Sequence, residues 1–393
     1  MTQISDPLTT EPARPSAAPP AAHAHGELCI AQLMSTYGEG GAERVTFSIG
    51  RGLHQIGVRS ILIALRETGS YVQHDDSGIP AFSLGVHRGG RFAILAAARQ
   101  LRRLIREHRI DVLHVHGSRL SIVFAALATR AMRRPPRLWF TWHMPQSVLE
   151  DTGLRLKLMR WALGRCENIY GDAQDIIDRL VTRAPELTGR ARVFPNAVAE
   201  TDWTADVDAD VPTLVWMARI ASVKNPQMFV RAVARLKAEG LRFRVVMAGA
   251  ATAHSEGPEH ERQTRALIDE LGIGDILDAP GWVDDTAALL RSGSIGVQTS
   301  YHEGLSLTLL EMMMAGLAIV ATDCGDTVQA IKHEHTGLVT QPGDEDALVD
   351  ALRRVITDRE LCRQLADAAR EVALARYSET AMARRVAGEA AQE

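Results

Sequence analysis

Two glutamates bracket a short apolar run in TSYHEGLSLTLLEMMMAG at 299–316. Glu303 lies in a His-Glu-Gly loop, and Glu311 lies in a predicted helix otherwise made of Leu, Met and Ala. The helix is predicted to begin at Ser306 or Leu307, with Ser306 able to cap it. Its unpaired N–H groups and positive dipole end suit a phosphate. Glu303, ahead of that end, can reach groups attached beyond the phosphate. Glu311, one turn inside, can meet only something lying alongside the helix. A carboxylate accepts two hydrogen bonds, which matches a pair of adjacent sugar hydroxyls. Taken singly, either acid also fits a capping charge or a solvated helix face. Together, on one apolar helix and its loop, they point to a ligand.

Three further stretches carry chemistry. In MARIASVKNP, Arg219 and Lys224 follow a predicted strand, Asn225 can cap the next helix and Pro226 suits its first position. Two cations near a helix N-terminus oppose the dipole unless an anion lies between them. In YGEGGAER at 37–44, Gly40 and Gly41 allow close backbone approach to a phosphate. The stretch is not G-x-G-x-x-G, because Glu43 stands at the last position, and this argues against a NAD-binding reading. His114 and His116 in LHVHG, and His143 in FTWHMP, all end predicted strands. His114 and His116 share a strand face and could ligate a metal. No Cys or acidic residue stands at a metal-like spacing from them, so satisfied structural histidines are expected and no metal site.

These residues need a scaffold that brings loop after strand to one place. Apolar strand patterns at 27–35, 58–65, 110–117 and 137–143 alternate with helical segments, and the order restarts at 213–219, 243–250 and 317–322. Strands joined by helices imply parallel pairing with right-handed crossovers. Two doubly wound Rossmann-like domains of similar size result, with ligands expected at the carboxyl ends of both sheets. The expected boundaries are a disordered Thr/Pro/Ala-rich tail over 1–26, a first domain over 27–200 and a second over 201–375. The 376–393 segment is expected to form a helix packing back on the first domain.

Composition bounds the partners. The 393 residues are 46% hydrophobic with a formal net charge of −4, against a dedicated nucleic-acid binder. The four cysteines form no C-x-x-C, as expected of reduced thiols in a cytoplasmic protein. No run approaches the roughly 18 apolar residues of a membrane span. Residues 85–165 hold 16 Lys and Arg against 4 Asp and Glu. Within them RFAILAAARQLRRLIREHR and GLRLKLMRWALGR read either as ordinary amphipathic surface helices or as an interface for anionic lipid or a phosphate-bearing substrate.

The stretch from Glu303 to Asp323, E-G-L-S-L-x-x-L-E-x-M-x-A-G-x-A-I-V-A-T-D, resembles the E-x7-E signature of the retaining, nucleotide-sugar-dependent glycosyltransferases of family 4, which have the GT-B fold. The resemblance implies that Glu303 contacts the transferred sugar, that Glu311 binds the ribose, and that backbone amides around Ser306 and Leu307 hold the diphosphate. MARIASVKNP resembles the family's G-R-x-x-x-x-K-(N/G), with Ala218 in place of Gly. It implies that Arg219 and Lys224 neutralise the departing diphosphate, so no metal or other cofactor is expected. The Gly40-Gly41 loop resembles G-G-x-E/Q-R, and T-x-H at His143 aligns with a family histidine near the transferred sugar. FPNAV and PGWVDD are similar to P-N-G-V-D and G-x-V-x-D, whereas MAGAATA departs from G-x-G-P, which leaves the donor base open. The implied function is transfer from a UDP- or GDP-sugar to a lipid-linked or saccharide acceptor in envelope or exopolysaccharide synthesis. Retention is expected through front-face attack, with the departing phosphate helping to remove the acceptor proton. A cytoplasmic protein with peripheral membrane contact is the expected setting. A nucleotide-sugar 2-epimerase of the same architecture and a non-catalytic nucleotide-sugar-binding subunit are the alternatives.

Overall fold

The computed structural model describes residues 28–38, 41–66, 77–86, 91–143, 153–194, 196–251 and 257–391. The expected 1–26 tail and Gly40 lie outside the described residues.

Among the described residues thirteen strands form two wholly parallel sheets. The first contains β1 (Cys29–Met34), β2 (Arg59–Ala64), β3 (Ala81–Ser83), β4 (Val112–His116), β5 (Arg137–Trp142), β6 (Asn168–Gly171) and β7 (Ala191–Val193). Its order is β3-β2-β1-β4-β5-β6-β7. The second contains β8 (Thr213–Met217), β9 (Arg244–Ala248), β10 (Leu277–Gly281), β11 (Ile295–Gln298), β12 (Ala318–Thr322) and β13 (Leu338–Thr340), in the order β10-β9-β8-β11-β12-β13. The GT-B arrangement of two doubly wound domains is therefore present. The central strands are buried on both faces, which explains why LCIAQLM and LAIVAT read as continuous apolar runs rather than alternating ones.

In each sheet the order reverses beside its first strand. β1 lies between β2 and β4, and β8 lies between β9 and β11. The loops leaving the two sides of such a point diverge and leave a crevice at the carboxyl ends of the strands. The glycine loop follows β1, MARIASVKN follows β8 and YHEGLS follows β11, so topology alone carries all three stretches to the crevice.

The chain crosses back at its end. Val198 bridges Ser378, and the Glu379–Ala391 helix then lies on the Gly41–Gln55 helix of the first domain. Met382 and Val386 share a buried cluster with Ile49, Leu53 and Trp139. A Cβ on Gly52 would stand 2.1 Å from the Glu379 carbonyl oxygen, so only glycine permits this approach. Arg51 forms an ion pair with buried Glu379 beside it.

Candidate active site

The Leu307–Met314 helix begins where the sequence predicts. Ser306 is its N-cap, with Oγ accepting from the Leu309 N–H at 3.4 Å. Leu309, Leu310 and Met312 to Met314 are buried, and this anchors the helix against β11 and β12. Thr308 and Glu311, one turn apart, occupy the opposite stripe and line the cleft. The apolar composition thus belongs to the packed face, and the lone acid marks the open one.

The Glu303 loop is held from two sides. The Asp326 N–H donates to the Gly304 carbonyl at 3.2 Å. Gly325, with φ +56°, passes so close that a Cβ would stand 2.0 Å from the Glu303 carbonyl oxygen. On the other side Glu303 accepts from Ser300 Oγ at 2.7 Å and forms an ion pair with Lys224. Lys224 closes a short turn, Ser222–Lys224, which is tied to the same loop by Tyr301 N–H to the Val223 carbonyl and by Thr299 Oγ to the Lys224 carbonyl. β8 and β11 are paired neighbours, which is why residues so distant in sequence meet.

Asn225 departs from expectation. It stands at the N-cap of the Pro226–Ala238 helix, but its backbone is left-handed (φ 48°, ψ 52°) and its side chain makes no cap hydrogen bond. Nδ2 instead lies 3.2 Å from Met228 Sδ. Asn tolerates the left-handed region better than most residues, and here that tolerance is what the turn after Lys224 uses.

Arg219 is exposed and lines a cavity of about 540 Å³ with Arg44, Trp282, Thr308 and Glu311. Lys224 and Glu303 line an adjoining crevice, and the two spaces share Met217, Ala218 and Thr308. The four charged residues singled out in the sequence therefore line two neighbouring pockets that share a wall. They are not one cluster: Lys224 is engaged by Glu303, while Arg219 faces the Glu311 side.

The first domain supplies the opposite wall. Gly41 opens the Gly41–Gln55 helix, and a Cβ there would lie 3.7 Å from Leu307 Cδ1 at the facing helix tip. One turn on, Arg44 crosses the cleft to pair with Glu311. Burial pushes the Glu311 carboxyl above the ordinary range, and the Arg44 guanidinium opposes that shift. His143, just after β5, has a nearly buried side chain whose Nδ1 lies 3.8 Å from Asp172 Oδ2. Asp172 in turn lies against Gly304.

His114 and His116 are core residues. His114 Nε2 lies 2.6 Å from Thr141 Oγ1. His116 meets Gln32 at 2.7 Å and His143 at 3.1 Å. Burial pushes the His114 imidazole down to about 3, and pushes His116 well below the ordinary range. Both are therefore neutral, and their engaged nitrogens face protein partners.

Three site residues escape the sequence reading. Arg44 ends the glycine-loop stretch, and its position one turn beyond Gly41 is the signal that points to it. Asp172 ends β6 as His143 ends β5, a relation that only the strand order reveals. Asp326 of the second domain accepts from the Gln174 N–H at 3.1 Å, and so caps the Gln174–Arg183 helix of the first from across the cleft. No sequence spacing predicts a cap supplied by another domain.

Residues 39–201 match the family model described as Glycosyltransferase Family 4, and residues 200–372 match the one described as Glycosyl transferases group 1. LpsD of Rhizobium meliloti, a lipopolysaccharide core biosynthesis glycosyltransferase, is 27% identical over 349 residues, spanning 88% of this chain and 93% of its own. LpsE of the same organism and description is 26% identical over 277 residues, 70% and 76% of the two chains. Among solved structures, HepE of Anabaena in complex with UDP has a TM-score of 0.75 at 17% identity, covering 92% of this chain and 99% of its own. A glycosyltransferase of Rickettsia africae has a TM-score of 0.73 at 20% identity, covering 93% and 98%. At these identities the solved structures speak for the fold.

Proposed function

Because the chain belongs to the GT-B glycosyltransferases of family 4, we propose that it moves a sugar from a UDP- or GDP-sugar to an acceptor with retention of anomeric configuration. In this reading residues 27–200 form the acceptor side and 201–375 the donor side. The donor diphosphate rests on the N-terminus of the Leu307–Met314 helix, between Ser306 and Leu307 on one side and Arg219 and Lys224 on the other. Gly41 approaches it from the first domain. Glu303 receives hydroxyls of the transferred sugar, His143 stands beside that sugar, and Glu311 receives the ribose hydroxyls. Binding then requires exchange of partners: Lys224 turns from Glu303 to phosphate, and Glu311 shares or releases Arg44.

The chemistry breaks the bond between the anomeric carbon and the diphosphate oxygen, and forms one from the acceptor hydroxyl oxygen on the same face. The acceptor proton goes to the departing phosphate. The two cations and the helix N–H groups stabilise the negative charge that develops there, a role in which preorganised donors are worth several kcal/mol. The single observation that carries the reading is that two carboxylates and two cations, from the segments that follow the neighbouring strands β8 and β11, line adjoining pockets with a shared wall.

A lipid-linked acceptor is supported by the helices Arg91–Glu107, Arg119–Thr129 and Gly153–Leu163, which pack side by side on the first sheet. Phe92, Leu95, Leu120 and Leu154 are exposed on them among many Arg side chains. Leu101, Leu104 and Ile105 of the same pattern belong to the core, so the apolar residues divide between core and surface. Among the described residues no helix is long and apolar enough to cross a membrane, so contact would be peripheral. LpsD and LpsE support a setting in envelope polysaccharide assembly.

The test is a panel of UDP- and GDP-sugars with released nucleoside diphosphate as readout, with and without vesicles containing a lipid-linked saccharide. Product with retained configuration is expected. Appearance of a donor epimer, or tight binding without release from any donor, would overturn the assignment.

A further inference from the structure

Asp326 belongs to the second domain, but its side chain ends on the first. Oδ2 accepts the Gln174 N–H at 3.1 Å, at the first residue of the Gln174–Arg183 helix. That helix has no cap of its own. Ala173 stands at its N-cap position in an extended conformation (φ −148°, ψ 156°) and has no side-chain oxygen to offer. The positive end of the helix suits a carboxylate. Asp326 is nevertheless held there against resistance. Burial keeps its carboxyl above the ordinary range, the Gln174 N–H opposes that shift, and the Asp172 and Asp175 carboxylates add to it.

The main chain of the same residue holds the Glu303 loop. Its N–H donates to the Gly304 carbonyl at 3.2 Å. Next to it, Gln298 Nε2 donates to Thr327 Oγ1 at 3.2 Å and fixes the turn to the end of β11. The first domain faces Gly304 with Asp172 Oδ1 and Ala173 Cβ, which lie 3.7 and 3.8 Å from where a Cβ on Gly304 would stand. One residue therefore binds the loop through its backbone and the first domain through its side chain. The Arg44–Glu311 pair also crosses the cleft, but in the reading above an arriving donor must share or break it. No group at Asp326 is assigned to the donor.

We propose that Asp326 is a positioning residue that latches the first domain onto the Glu303 loop, with the donor present or absent. The requirement is for an acceptor atom and not for charge. Asparagine supplies the acceptor and escapes the repulsion of Asp172 and Asp175, whereas alanine supplies neither atom nor charge. The effect on turnover rests on the transferase reading above; the closed shape does not.

Three variants of the full chain test this: Asp326→Ala, Asp326→Asn, and Asp326→Ala combined with Ala173→Ser. Serine at 173 gives the helix a cap from within its own domain without restoring the link between domains. Small-angle scattering reports the radius of gyration with and without UDP or GDP. Released nucleoside diphosphate reports turnover with whichever donor the panel selects, and calorimetry reports Kd and thermal midpoints. Loss of one cap shifts an open–closed equilibrium by roughly 5-fold. Asp326→Ala is therefore expected to expand the unliganded chain and to lower kcat roughly 5-fold. The Kd for UDP or GDP should change less than about 3-fold, because these ligands lack the sugar enclosed at the latched end. Asp326→Asn is expected to keep the native radius and turnover. The double variant is expected to regain the native thermal midpoint yet stay expanded and slow. A compact Asp326→Ala chain, or an expanded Asp326→Asn chain, would overturn the proposal. So would a double variant with native radius and turnover, which would reduce Asp326 to a helix cap. A wild-type chain that releases nothing from any donor would sink the transferase reading instead, and scattering alone would then decide the latch.

Discussion

Lys224 and Arg219 are assigned the same task, yet their removal should differ in a measurable way. The Lys224 ammonium is ion-paired with Glu303, and the two side chains are only 18% and 13% exposed. Arg219 is exposed on the wall of the larger cavity. Lys224→Met keeps most of the aliphatic stem and leaves the Glu303 carboxylate mostly buried without its counter-charge. Two unit charges about 4 Å apart interact by about 4 kcal/mol at an effective dielectric of about 20. Orphaning one member of a buried pair costs about 3–5 kcal/mol. The cleft is open to water on one side, so about 2–3 kcal/mol is the expected loss for Lys224→Met. For a domain of this size that is a fall of roughly 4–12 °C in the thermal midpoint. Arg219→Ala, a surface substitution, should change stability by no more than about 0.5 kcal/mol. Both variants should weaken UDP or GDP binding by roughly 10- to 100-fold, through loss of a charge-assisted contact to phosphate. The Lys224→Met/Glu303→Gln double variant removes the buried charge along with its partner. It should recover most of the lost midpoint while remaining defective in donor binding. Scanning calorimetry and titration calorimetry on the four proteins test this directly. If Arg219→Ala destabilises as much as Lys224→Met, or the double variant melts no higher than the single one, the ion pair is not what holds the Glu303 loop.

Three other outcomes are expected. Glu303→Gln should lower kcat for transfer at least 10-fold while leaving the Kd for UDP or GDP within about 3-fold, since only the carboxylate facing the sugar changes; equal losses in both would show that it binds the nucleotide instead. Gly325→Ala should cost about 2 kcal/mol or more and displace the Glu303 loop, because φ is +56° and the added Cβ meets backbone at 2.0 Å; a variant with native stability and turnover would contradict this. His114 is held neutral with its titration lowered to about 3, so the unfolded chain takes up its proton first as pH falls below about 6.5. The stability this residue contributes is full above that pH and declines toward pH 3, by on the order of 2 kcal/mol near pH 5. Denaturation midpoints of wild type and His114→Asn, measured from pH 7.5 to 5, should therefore converge on acidification, and parallel curves would contradict the assignment.

The local chemistry was readable before any fold. Ser306 as a cap, the two glutamates on one helix and its loop, the Arg-Lys stretch after a strand and the parallel alternation all follow from short-range rules, because caps, periodicities and strand–helix order depend on near neighbours in the chain. The family resemblance adds roles to those residues but no distances. What tertiary structure decided is who faces whom. Strand order places β11 beside β8, and so turns Lys224 and Glu303 into partners. The apposition of the domains sends Arg44 across to Glu311 and lends Asp326 as a cap to a helix it does not belong to. Asn225 shows the same limit in reverse: its type suited a side-chain cap, but the turn after Lys224 required a left-handed backbone, and that need prevailed. Asp172, and the contacts that His116 makes with Gln32 and His143, had no spacing to betray them. Their meeting is set by which strands lie side by side, and a parallel sheet can pair strands in many orders with the same local sequence.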